Sequence, residues 1–174
     1  FHFILGHDMQ PQLIPRDIPK HIGAPNLPRL NESQQKAIMH VMKKPFSLIQ
    51  GPPGTGKTVT SATLIYHLAS QCKEQVLVCA PSNVAVDNLA LKIHKTGLKV
   101  VRLQSKRNET LSHVTDFLSL HQLVRQLAAR VKGDLYKLFQ LKEKQPLCDK
   151  TYKKFLRLKK KAEQAILENA DVIC

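Results

Sequence analysis

Apolar residues recur along this chain in two rhythms. In LNESQQKAIMHVM, residues 30–42, Ala37, Ile38, Val41 and Met42 fall on one face of a helix, with Asn31 able to cap its start and Pro45 marking its end. FSLIQ, residues 46–50, is instead a short continuous apolar run, the pattern of a strand. The helical rhythm returns in KTVTSATLIYHLAS, residues 57–70, where Ala62, Ile65 and Ala69 run beside Leu64 and Leu68. VLVCA, from Val76 to Ala80, suits a buried parallel strand. VAVDNLALKIHKTG places Leu89 and Ile93 four apart and closes on Gly97, a helix stop, before a further strand in LKVVRL. Strand, helix, strand, helix, strand predicts an α/β fold with a parallel sheet.

Either side of that stretch the pattern changes. Residues 1–29 carry Pro11, Pro15, Pro19, Pro25 and Pro28 and no sustained periodicity, which predicts an extended approach segment. Beyond Leu103, HVTDFLSLHQLVRQLAARVKGDLYKLFQLKEK and DKTYKKFLRLKKKAEQAILENA are long, strand-free and basic, with a turn at QPLC between them. They predict an antiparallel helical hairpin inserted into the α/β domain. ADVIC, at the end, has the look of the next core strand. The expected organisation is thus an approach segment over 1–29, the first part of the α/β domain over 30–104, a basic helical insertion over 105–165, and the start of the next core strand over 166–174.

Composition narrows the class. At 174 residues with 43% hydrophobic content the chain can bury a core. No apolar run approaches the ~20 residues that cross a bilayer, and FHFILGHDMQPQL offers no basic leader, apolar core or cleavage site. A soluble cytoplasmic protein with no membrane partner is expected, and a chain opening on Phe1 reads as a piece of a longer one. Cys72, Cys79, Cys148 and Cys174 show neither C-x-x-C pairing nor zinc-finger spacing, so they read as thiols in a reducing compartment. Lys and Arg number 27 against 13 Asp and Glu, a net charge of +14. Such an excess fits a polyanionic partner, and equally a solvated basic surface.

Chemistry enters at IQGPPGTGKTVT, residues 49–60. Gly51, Pro52, Pro53, Gly54, Thr55, Gly56, Lys57 and Thr58 fit G-x-x-x-x-G-K-[ST] between a predicted strand and a predicted helix, the context that a phosphate-binding loop requires. Gly54 and Gly56 allow backbone angles that a Cβ would forbid, so successive N–H groups can face phosphate oxygens. The helix beginning near Lys57 adds the positive end of its dipole. Lys57 is expected to reach the β and γ phosphates of ATP, and the Thr58 hydroxyl to bind Mg²⁺. The predicted strand over 76–80 leads into APSNVAVDNL, at the sheet edge where open α/β folds bind ligands. There Ser82, Asn83 and nearby N–H groups suit an extended phosphate backbone, though Ser and Asn are also ordinary helix caps.

Taken together, LNESQ (30–34), SLIQGPPGTGKTVTSATLIYHLA (47–69), VLVCAPSNVAVDNL (76–89), KIHKTGLKVVRL (92–103) and NADVIC (169–174) resemble the up-frameshift RNA helicases, the regulators of nonsense transcripts in superfamily 1B. The resemblance covers essentially the whole chain and is densest from Leu30 to Leu103. It implies a RecA-like P-loop NTPase sheet, here truncated, with a helical insertion beside an RNA channel. It also implies an intact enzyme that couples ATP hydrolysis to translocation on single-stranded RNA in nonsense-mediated mRNA decay. Gln34 would read the adenine edge, Gly51 to Thr58 would hold the triphosphate and Mg²⁺, and Pro81, Ser82, Asn83 and Val84 would touch the single-stranded backbone, RNA or DNA. Decay factors would be partners, and the protein a monomer.

Several parts of that family's pattern are missing from the 174 residues. Its zinc domain and small β-barrel do not appear, and no apolar strand here ends in the Asp-Glu pair that binds Mg²⁺ and activates water. The second RecA-like domain with its arginine finger is missing as well, so the chain alone is expected to turn over little ATP. Two other readings stay open: a non-catalytic basic RNA-binding module whose phosphate loop is vestigial, and an AAA-type remodelling ATPase, since GPPGTGKT is common there too.

Overall fold

The computed structural model describes residues 19, 21–71, 75–104 and 114–174. The approach segment before Pro19, Cys72 and the start of the insertion, 105–113, lie outside them. Helix α1 (Glu32–Met42) begins at Asn31, whose side chain accepts from the Gln34 N–H while the Gln34 side chain accepts from the Asn31 N–H, a reciprocal capping box. Its buried face holds Ile38 and Met42 and packs with Leu30, Ile22 and the α2 residues Val59 and Leu64. Helix α2 (Lys57–Gln71) follows the glycine-rich loop, and α3 (Asn83–Lys95) ends at Thr96 with Gly97 in the left-handed region at φ 91°.

Three short strands make one parallel sheet: β1 (Val76–Leu77), β2 (Val100–Val101) and β3 (Val172–Ile173). Their order is β1-β3-β2, so the strand formed by the last residues lies between the other two, with Val76 and Val100 both opposite Val172. Helices α2 and α3 pack on each other and on this sheet through Ala62, Ile65, Val86, Ala90, Ile93, Val100 and Val172. This is the α/β architecture with a parallel sheet that the periodicity predicts.

Three expectations need correction. FSLIQ is not a strand: residues 46–50 have no strand assignment, and Leu48 is 84% exposed. A strand exists only through pairing with a neighbouring strand, and the described sheet consists of the three strands above without this segment. The 76–80 segment is not buried on both faces either. Val78 is buried, whereas Leu77 is 71% exposed and Cys79 is open, because alternate side chains of a strand face opposite sides and α2 and α3 cover only one.

The basic segment forms three helices rather than a two-helix hairpin: α4 (Leu120–Val131), α5 (Asp134–Lys144) and α6 (Asp149–Glu168). The first long segment breaks at Lys132, left-handed at φ 50°, and Gly133, which caps α5. The three helices share a second core of Val124, Ala128, Phe139 and Phe155, with the two phenylalanine rings edge to face at 5.1 Å. A short 3-10 turn, Asp116–Leu118, joins this layer to the sheet. There Arg102 N–H donates to Leu118 O at 2.8 Å and Leu120 N–H to Arg102 O at 3.1 Å.

Candidate functional site

The loop from Gly51 to Gly56 turns on two left-handed glycines, Gly54 at φ 79° and Gly56 at φ 77°. A Cβ on Gly56 would come within 2.7 Å of Gln34 Nε2, and one on Gly51 within 2.8 Å of Thr55 Oγ1. The glycines therefore provide both the backbone angles and the room that the loop needs. Helix α2 begins at Lys57, with Val59 N–H and Thr60 N–H donating to Gly56 O at 3.0 Å each. The first N–H groups of a helix have no intrahelical acceptor and form a positive end facing the loop.

Lys57 Nζ donates to the carbonyls of Gly51 at 2.6 Å and Pro52 at 2.7 Å, which holds the ammonium across the mouth of the loop. The Thr55 hydroxyl donates to Pro52 O at 2.7 Å. Thr58, in the first turn of α2, is exposed, as are Pro52, Pro53 and Thr55.

Gln34 meets the same loop from α1. Its Nε2 donates to Thr55 O at 2.9 Å, and its Oε1 accepts from Asn31 N–H at 2.9 Å. An amide has two donor hydrogens and two acceptor lone pairs, so one of each remains on Gln34 after these bonds. The capping box thus leaves a residual donor and acceptor beside the glycine-rich loop. The amphipathic pattern of α1 signals the helix but not this contact.

The segment Pro81, Ser82, Asn83 and Val84 is exposed at the end of β1 and the start of α3. Ser82 caps α3: its hydroxyl accepts from Ala85 N–H at 3.2 Å. Asn83 Oδ1 accepts from Arg102 Nη2 at 3.1 Å. Arg102, 5% exposed, also donates from Nε to Asp87 Oδ1 at 2.8 Å and from Nη1 to Leu103 O. Thr115, fully buried, donates to the same Asp87 oxygen at 3.1 Å. Sequence reasoning missed Arg102, Asp87 and Thr115, because nothing in their spacing marks residues that meet only in the fold.

The sequence profile of the family described as AAA domain matches residues 29–164, more than half of the chain. The chain belongs to this AAA domain family. Within it, the chain is 53% identical over 175 residues to the regulator of nonsense transcripts 1 homolog of Arabidopsis thaliana, a match covering all of this chain and 14% of that protein. It is 48% identical to the ATP-dependent helicase NAM7 of Saccharomyces cerevisiae, covering all of this chain and 18% of NAM7. It is 46% identical to the ATP-dependent helicase upf1 of Schizosaccharomyces pombe, where it covers 19% of that protein. These matches bear out the resemblance to the up-frameshift helicases. The AAA domain described here spans less than a fifth of the length of these relatives.

Proposed function

We propose that this chain is the ATP-gripping part of a cytoplasmic RNA helicase that couples ATP hydrolysis to movement on single-stranded RNA in nonsense-mediated decay. The observation that carries the reading is the loop itself: left-handed Gly54 and Gly56, Lys57 across the mouth and the α2 N-terminus behind it. The names of the relatives, helicases and regulators of nonsense transcripts, support the same reading and favour it over a remodelling ATPase.

In this reading the loop N–H groups and the Lys57 ammonium hold the triphosphate of ATP. Gln34, beside the loop, offers its remaining donor and acceptor to the adenine edge. Thr58, exposed in the first turn of α2, would offer its hydroxyl oxygen to Mg²⁺, a hard cation that takes oxygen ligands. When bound, magnesium would neutralise charge on the transferred phosphoryl group. Ser82, Asn83 and the first turn of α3 provide donors for an RNA backbone one sheet edge away. The carboxylate that activates water and the arginine that stabilises the transferred charge are assigned to segments outside these 174 residues.

Replacing Lys57 by Ala in the intact protein removes a charge-assisted contact to phosphate. RNA-stimulated phosphate release is expected to fall roughly tenfold to a hundredfold. Release at the wild-type rate would sink the reading, and salt-dependent RNA binding with no nucleotide binding would instead favour a non-catalytic RNA module.

A further inference from the structure

Arg102 has one of the densest sets of polar contacts in the described residues, and the nucleotide loop makes no use of it. Its guanidinium is buried between Asp87 on α3, Asn83 at the start of α3 and the Leu103 carbonyl. Its backbone bridges in parallel to Ser119, at the entry to the helical layer. Asp87, which holds the guanidinium, is held in turn by Thr115.

The chemistry of this contact constrains Asn83. Guanidinium has five N–H donors and no acceptor. The Asn83 atom facing Arg102 must therefore be the carbonyl oxygen, and the amide NH₂ is turned the other way, on an exposed residue. Without Arg102 the two ends of the amide could exchange by a half-turn. Asp87 keeps the guanidinium from following its partner, because Nε is already engaged at 2.8 Å.

We infer that Arg102 is a positioning residue: it locks Asn83 so that the amide NH₂ faces outward as a donor pair for a phosphodiester oxygen of single-stranded RNA. The inference rests on the RNA-facing role given to Ser82 and Asn83 under Proposed function. A phosphodiester group offers only acceptors, so an amide presenting its oxygen would repel it and one presenting NH₂ binds it. The donor orientation is what one buried cation can impose, whatever base the RNA carries.

Asn83→Asp separates this role from a structural one. Aspartate keeps an oxygen for Arg102 and adds charge to that pair, but it replaces the outward NH₂ by an anionic oxygen. In the full-length protein, anisotropy of labelled oligouridylate should show affinity falling about tenfold or more, with the melting temperature held or raised. Affinity within about twofold of wild type would overturn the inference, because Asn83 would then serve only as an acceptor.

Arg102→Lys adds a test of the coupling. A single ammonium cannot fork between Asp87 and Asn83. It should weaken oligouridylate binding in the wild-type background and have no further effect in an Asn83→Ala background. An equal penalty in both backgrounds would mean that Arg102 does not act through Asn83, and the inference fails. Should Arg102→Lys not fold, Asn83→Asp decides alone. A wild-type protein that binds no oligouridylate sinks the helicase reading itself. One that binds RNA and needs Lys57 for hydrolysis, yet ignores Asn83→Asp, sinks only this inference.

Discussion

Gly56 carries two constraints at once, a left-handed backbone and a Gln34 amide where its Cβ would stand. Left-handed backbone costs an L-residue roughly 1–2 kcal/mol, so Gly56→Ala should either reshape the loop or push Gln34 off Thr55 O. Nucleotide titration of the intact protein is expected to show about tenfold weaker binding, and wild-type affinity would contradict the tight approach. His67 gives a second residue-scale prediction. It is 7% exposed on α2, and its Nε2 has no partner among the described residues. Burial pushes its pKa below the ordinary 6.5, with the hydrogen bond to the Gly23 backbone pulling less strongly the other way. Below that value the unfolded chain binds the proton more readily than the folded one. The stability contribution is therefore intact above pH 6.5 and lost as pH falls through it toward the folded pKa. Melting followed from neutral to mildly acidic pH should fall less steeply in His67→Phe, and equal slopes would remove His67 from the account. The glycines were legible because the motif spacing encodes backbone angles. Arg102 was not, because its partners Asn83 and Asp87 lie on another element and no period links them.

Local pattern and neighbour carry different weights among the elements. Helices α1, α2 and α3 follow their apolar periods, and Asn31 and Gly97 mark ends where the sequence places them. The basic segment is less regular: its apolar period runs on through Val131, but Lys132 turns left-handed and Gly133 starts a new helix. KGD carries that signal, which is weaker than the period around it. The layer has its own core, and Phe155, 2% exposed, is its centre. Phe155→Ala should cost about 3–5 kcal/mol, concentrated in α4 to α6. Amide exchange should then accelerate across those three helices and little in α2 and α3, whose core is separate. Uniform acceleration would mean that the two cores unfold as one.

Across the whole molecule, the net charge of +14 and individual exposed leucines bear on the behaviour in solution. Leu48 and Leu77 are 84% and 71% exposed, a degree of apolar exposure that favours association. Light scattering of the isolated chain should show self-association that Leu77→Lys reduces; a monodisperse wild-type chain would count against this. The described helices include none long and apolar enough to cross a membrane. The sequence by itself determined helices α1 to α3, the glycine-rich loop between the first two and the α/β class, because each depends on residues within a few positions of one another. Only the tertiary structure decided that β3 lies between β1 and β2, that FSLIQ forms no strand, that the basic segment makes three helices and that Arg102 holds Asn83. Those outcomes depend on which distant segment supplies the neighbouring hydrogen bonds, packing surface or counter-charge, and no local period carries that choice.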